Sequence, residues 1–168
     1  MKSDLRSFSS EDWTPHFNTS YYEGDWSGIA LRASKDALVQ LYPDPTAGGY
    51  EDTEMLARCS YFPEVIKTFQ CELESVRLLK LGAGAKIREH RDYKLGFEDG
   101  VVRIHIPVET NPQVEFYLDG ELLQMNEGEA WYLNFNLPHS VSNPGATERV
   151  HLVIDCILND WLREFFQP

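Results

Sequence analysis

His90, Asp92, His139 and Arg149 are the residues of this chain whose types and spacing could do chemistry. A single residue separates His90 from Asp92, and on an extended backbone, where side chains repeat with period two, both point to the same face. His139 follows 47 residues after Asp92, about the chain that several strands and their return require. Two imidazoles and one carboxylate on one side of a metal form the facial triad of non-haem Fe(II) oxygenases, with coordination positions left open. Arg149 lies ten residues past His139, at the start of an apolar run. A buried guanidinium there can hold a carboxylate through two parallel hydrogen bonds. Triad and clamp together point to an oxygenase that uses O2 and 2-oxoglutarate. Each part has an ordinary alternative: a surface His–Asp pair, a loop histidine in Leu137-Pro138-His139-Ser140, a strand-end cation in an ion pair. The combination is what argues for chemistry. Turn punctuation stands before each half, Gly82-Ala83-Gly84 ahead of His90 and Pro144-Gly145 ahead of Arg149.

The elements that must position these residues are mostly strands. Runs at 76–81, 101–108, 114–118, 121–125, 129–135 and 149–158 alternate or cluster apolar residues as strands do, and Asp119-Gly120 is a tight hairpin signal. Glu127-Gly128 marks the next turn. So many short strands predict a mainly β fold, a double-stranded β-helix (a cupin-like jelly roll) with flanking N-terminal and C-terminal helices. Such a fold brings non-adjacent strands to one mouth, so residues 90–92 and 139 can meet. In the run 101–108, Val102, Ile104 and Ile106 face one way and Arg103 and His105 the other. The run 149–158 repeats this, with Val150, Leu152 and Ile154 opposite Arg149, His151 and Asp155. These two Arg-x-His pairs either line one polar cavity or form the solvent faces of edge strands. Asn134, Trp131 and Ser142 are further candidates for supporting the site, and equally for plain packing or turns.

Before residue 70 the pattern is mixed. A short strand is expected over 26–31 and a loop over 42–52, which carries Pro43, Pro45, Gly48 and Gly49. Ser60 can cap a helix with Pro63 in its first turn and Phe62, Ile66 and Phe69 on one face. Asn159 can cap a final helix carrying Trp161, Leu162, Phe165 and Phe166. The expected organisation is a single domain over 1–168: a mixed region 1–70 packs on a jelly-roll core 75–158, and a C-terminal helix follows over 159–168.

With 168 residues, 42% of them hydrophobic, the chain can bury a sizeable core and is not a disordered one. Its 15 basic and 27 acidic side chains leave a net charge of −12, which argues against nucleic acid and anionic membranes as partners. No apolar leader segment follows Met1-Lys2-Ser3-Asp4 and no stretch approaches transmembrane length. Cys59, Cys71 and Cys156 are odd in number and widely spaced, which fits reduced thiols in a cytoplasm. A small amino acid or peptide is the expected partner, and the oligomeric state is left open.

Residues 81–161 resemble the aspartyl/asparaginyl β-hydroxylase family of Fe(II)/2-oxoglutarate dioxygenases, which also includes free-proline hydroxylases. The runs that carry the resemblance are Glu89-His90-Arg91-Asp92-Tyr93, Arg103-Ile104-His105-Ile106-Pro107, Trp131-Tyr132-Leu133-Asn134, Asn136-Leu137-Pro138-His139-Ser140-Val141 and Glu148-Arg149-Val150-His151-Leu152. Tyr22-Glu23-Gly24-Asp25-Trp26-Ser27-Gly28 resembles the family's N-terminal part. The resemblance implies that His90, Asp92 and His139 ligate iron and that Arg149 binds the distal carboxylate of 2-oxoglutarate. It further implies that His105 lies beside the co-substrate and that Arg103 is available to a substrate carboxylate. Animal members carry a membrane anchor and a helical repeat domain, neither of which is seen here, and lack the acidic ligand that Asp92 supplies. The departure strengthens the metal assignment and leaves free amino acids, peptides and peptide-like metabolites open as substrates. The expected activity is hydroxylation of an aspartyl, asparaginyl or other amino-acid side chain. A non-catalytic cupin-type metal-binding module, or a cupin isomerase or hydrolase holding Zn or Mn, is the alternative.

Overall fold

Strands with one apolar and one polar edge dominate the molecule, and the computed structural model, which describes residues 1–35, 37, 39–41 and 48–166, pairs them into two antiparallel sheets. In chain order the strands are β1 (Thr14–Pro15), β2 (Tyr22–Glu23), β3 (Trp26–Ser34), β4 (Tyr50–Asp52), β5 (Leu73–Leu81) and β6 (Lys86–His90). They continue as β7 (Val101–Glu109), β8 (Glu115–Leu118), β9 (Glu121–Leu123), β10 (Trp131–Leu133), β11 (His139–Ser142) and β12 (Arg149–Ile157). Short helices flank them: α1 (Lys2–Leu5), α2 (Glu54–Ala57), α3 (Phe62–Ile66) and α4 (Asp160–Phe165). The larger sheet runs β1-β3-β5-β12-β7-β10, with β4 also paired to β3, and the smaller runs β2-β6-β11-β8-β9. Strands far apart in sequence are neighbours in both sheets, which makes the fold a cupin-like jelly roll with flanking helices.

The two faces of the larger sheet carry opposite chemistry. Ile29, Leu31, Val76, Leu78, Val102, Ile104, Ile106, Leu152 and Ile154 pack with Leu56, Phe62 and Leu162 of the helices, and with Leu5, Phe8, Trp13 and Trp161 around them. The opposite face looks into the space between the sheets, where Leu81, Ile87, Phe116, Phe135 and Val141 form a second apolar cluster. Because the N-terminal region and α4 cover the apolar face, the alternating polar residues of β5, β7 and β12 point inward. Arg77, Arg103, His105, Arg149, His151 and Asp155 are all buried there. The Arg-x-His pairs therefore line the interior rather than solvent.

Asp119-Gly120 makes the hairpin between β8 and β9, with φ of 49° and 82° at the two positions. Both lie in the left-handed region that a twisted two-residue hairpin requires. The strand expected over 26–31 continues to Ser34, and the run 129–135 is paired only at Trp131–Leu133. Of the loop expected over 42–52, residues 42–47 lie outside the described residues, and Tyr50–Asp52 form β4. Arg32 holds that short strand through Asp52 at 2.7 Å and the Tyr50 carbonyl at 3.0 Å. The helix expected after Ser60 is present as α3, but Ser60 does not cap it. Its Oγ donates to Asp4, whose carboxylate accepts from the backbone N–H groups of Tyr61 (2.7 Å) and Phe62 (2.9 Å). Asp4 thus does from α1 what a local cap residue would do. Asn159 caps α4 as expected, accepting from the Leu162 N–H at 3.0 Å.

Candidate active site

His90 ends β6 and His139 begins β11, and the two are direct cross-strand partners with ring centroids 4.2 Å apart. A β-bulge sets their direction. His90 opposes His139 and Ile87 opposes Val141, so three steps along β6 face two along β11. The extra residue lets Ile87 and His90 share the inner face despite their odd separation. Just beyond β6, the Asp92 N–H donates to the Phe135 carbonyl at 3.0 Å, which ties the carboxylate-bearing segment to the same rim. One ligand atom from each of His90, Asp92 and His139 lies within 4.8 Å of the other two.

The protons on these imidazoles follow from their partners. His90 Nδ1 lies 2.8 Å from the Arg88 carbonyl and His139 Nδ1 lies 3.1 Å from the Leu137 carbonyl. A carbonyl oxygen only accepts, so both Nδ1 atoms carry a proton and Nε2 is the ligand atom that each ring can offer. Burial, with His90 beside it, pushes His139 down to about 4, which keeps it neutral at ordinary pH. Asp92 Oδ1 faces His90 Nε2 at 3.7 Å, while Oδ2 accepts from Arg103 Nη1 at 2.7 Å. Two imidazoles that can each offer Nε2 and one carboxylate with a free oxygen fit a divalent first-row metal.

A cavity of about 500 Å3 opens from this cluster, and Arg77, Arg103, His105 and Arg149 all line it. The arginines are not equivalent. Arg103 donates from Nε and Nη2 to Asp155 at 2.6 and 3.0 Å as well as to Asp92. Asp155 also accepts from Arg77 at 2.8 Å and from Ser75 at 2.7 Å. Burial would raise the Asp155 carboxyl, but Arg103 and Arg77 overcome it and hold the group well below the usual range. Arg149 has no acid among the described residues: its Nη2 donates to His151 Nδ1 at 2.8 Å and its Nε has no partner. Burial alone pushes this guanidinium down to about 9, so it stays cationic at neutral pH with its charge uncompensated.

The profile of the family described as aspartyl/asparaginyl beta-hydroxylase matches residues 1–158. The chain belongs to this family. Among curated family relatives, an L-proline cis-4-hydroxylase of Rhizobium meliloti (strain 1021) is 27% identical over 165 residues, covering 90% of this chain and 57% of the relative. An L-proline cis-3-hydroxylase of a Streptomyces species is 28% identical over 142 residues, covering 80% of this chain and 48% of the relative. The β-hydroxylase-family chain thus spans about half the length of the curated relatives it matches. Among solved structures, the plu4264 protein of Photorhabdus luminescens aligns with a TM-score of 0.50 at 9% identity, covering 95% of this chain and 91% of that one. At that identity the likeness concerns the fold.

Within this family member, the structure brings all six expected site residues (His90, Asp92, His139, Arg149, His105 and Arg103) to one cavity. Asn134, Trp131 and Ser142 do not line it. Trp131 and Ser142 bond Glu129 and Glu115, and Asn134 accepts from the Asn136 N–H in a turn. Residue patterns alone missed Arg77, which shares the inward parity of Ser75 on β5 and stands between apolar neighbours. They also missed the aromatic mouth. Tyr21 stacks on His90 at 5.4 Å, His16 stacks on Trp26 at 3.6 Å, and Phe17 and Tyr93 stand largely exposed at the rim.

Proposed function

We propose that this chain is an Fe(II)- and 2-oxoglutarate-dependent dioxygenase that hydroxylates an amino-acid side chain, free, within a peptide or in a peptide-like molecule. The observation that carries the reading is the presence, in one cavity, of a two-histidine, one-carboxylate cluster and a buried arginine that no acid among the described residues neutralises. Bound iron supplies the redox step that side chains cannot, coupling O2 and decarboxylation of 2-oxoglutarate to succinate with hydroxylation of an unactivated C–H bond. The chain itself binds, orients and excludes water. His90 and His139 would hold the metal through Nε2, and Asp92 through Oδ1. Arg149 would take the far carboxylate of 2-oxoglutarate in a charge-assisted fork that fixes its register. His105 would lie beside the co-substrate.

A substrate carboxylate would meet Arg103 and Arg77. Of its five N–H donors, Arg103 gives three to Asp92 and Asp155 and keeps the rest, and Arg77 keeps Nε. Trp26, Leu79 and Leu95 give the substrate body an apolar wall, with Phe17, Tyr21 and Tyr93 at the mouth. A structural metal module, or a cupin isomerase or hydrolase, has no use for an uncompensated arginine at this place.

The test is a screen of iron-loaded protein with 2-oxoglutarate and oxygen against free amino acids, proline included, and short peptides. The expected result is succinate formed in step with a product that has gained one oxygen atom. Protein that binds iron yet forms neither an anaerobic charge-transfer complex with 2-oxoglutarate nor succinate would overturn the reading.

A further inference from the structure

Arg149 and His151 occupy successive inward positions on β12, and His105 reaches them from β7, where Pro107 is the register partner of His151. All three side chains are buried. Arg149 Nη2 donates to His151 Nδ1 at 2.8 Å, and His105 Nδ1 lies 3.3 Å from the same atom. A guanidinium can only donate, so the lone pair of His151 is on Nδ1 and its proton on Nε2. A nitrogen without hydrogen cannot donate to His105, so the proton between the two rings belongs to His105 Nδ1. His105, which lines the main cavity, therefore keeps its lone pair on Nε2. His151 also borders a second cavity of about 410 Å3, lined by Asn111, Phe116, Gln124 and Met125, where the proton on Nε2 can meet water.

The same interior shows what an acid does at such a position. Arg103 is held by Asp155 and Asp92, and its charge is balanced within the protein. A carboxylate at 151 would orient Arg149 equally well but would neutralise it. An imidazole accepts the hydrogen bond and contributes no charge. We propose that His151 is a positioning residue, a neutral brace that aims the Arg149 guanidinium while leaving its charge free for a ligand carboxylate, and that sets the tautomer of His105. This rests on the assignment of Arg149 to 2-oxoglutarate made above.

Two measurements test it. In long-range 1H–15N spectra of histidine-labelled protein near neutral pH, His151 should carry its proton on Nε2 and His105 on Nδ1; the reverse pattern would overturn the brace. In anaerobic titrations of the Fe(II) protein with 2-oxoglutarate, His151→Asn, whose Oδ1 can replace Nδ1 as acceptor, should bind within about threefold of wild type. His151→Leu, with no acceptor, should bind about tenfold more weakly, and His151→Asp about a hundredfold more weakly than His151→Asn. Iron affinity should be unchanged in all of them. So should the binding of 2-oxovalerate, which lacks the far carboxylate, whereas a merely structural defect would weaken both ligands. Equal 2-oxoglutarate affinity in His151→Asp and His151→Asn would refute the charge argument. If wild-type protein forms no complex with 2-oxoglutarate, the proposed function fails, and the tautomer pattern still decides whether His151 braces Arg149. Because the spectra use wild-type protein, that decision stands even where a variant does not fold.

Discussion

His139 is buried and held neutral, so its Nε2 lone pair is available at ordinary pH, and losing that ring removes one of three convergent ligand atoms. His139→Ala should therefore abolish stoichiometric Fe(II) binding, measured by metal analysis after anaerobic loading and desalting. Full loading of a His90→Ala/His139→Ala double variant would show that the metal sits elsewhere. Arg149 is the second residue on which the reading turns. Arg149→Ala should leave iron binding nearly intact and weaken 2-oxoglutarate by about 2–5 kcal/mol, roughly 30- to several-thousand-fold. Arg149→Lys should recover only part of this, since it restores the charge but not the fork. The readout is the charge-transfer absorbance of the anaerobic complex, and equal affinity in all three proteins would make Arg149 an ordinary strand-end cation. These residues were legible in the sequence because His-x-Asp and a later histidine keep a local spacing and an unambiguous chemistry. The state of Arg103 was not. Whether an arginine is free or neutralised depends on Asp155, 52 positions away, and on Arg77 of a third strand, a fact of sheet order rather than of spacing.

Strand β6 shows why some elements escape a reading by periodicity. Lys86–His90 carries one buried apolar residue, Ile87, because its other inward position is His90. β11 likewise buries only His139 and Val141. Where chemistry takes the place of hydrophobicity on the inner face, the period-two signal disappears, and the bulge between these strands leaves no mark in residue types. The long strands β5, β7 and β12 were legible because their outward faces are uniformly apolar and covered by the N-terminal region. That cover depends on Asp4. Burial would raise its carboxyl, but the N–H groups of Phe62 and Tyr61 and the Ser60 hydroxyl outweigh it and leave it lowered, so the group stays ionised as it caps α3. Asp4→Ala removes the acceptor for those groups and should destabilise the fold by about 1–3 kcal/mol in urea unfolding. Asp4→Asn, which keeps an acceptor oxygen, should cost less. Equal stability of Asp4→Ala and wild type would mean that water caps α3 just as well.

The whole molecule carries a net charge of −12, yet its main cavity is ringed by three buried arginines, Arg77, Arg103 and Arg149. The surplus of acidic charge over the whole chain is expected to repel polyanions. No measurable DNA or RNA binding is expected near physiological salt, and tight, salt-sensitive binding in a titration would contradict that. The same interior makes stability depend on pH. His105 and His151 are buried and held well below 6.5, first by burial and then by the Arg149 charge. Both are neutral in the folded protein, whereas in the unfolded chain they take up protons near 6.5. Below that pH the unfolded state binds more protons, so stability present above about 6.5 is lost as pH falls toward the depressed values. Each histidine contributes up to about 1.4 kcal/mol per pH unit. His16, pushed down to about 4 by burial, acts in the same direction. Urea unfolding of metal-free protein at pH 7.5, 6.5 and 5.5 should show little change over the first step and a clear loss over the second. The loss should be shallower in His151→Asn, which has one fewer buried base to protonate on unfolding. Stability that stays flat down to pH 5.5 would mean that the two imidazoles find protons inside the fold, and the neutral Arg149–His151–His105 chain would have to be abandoned.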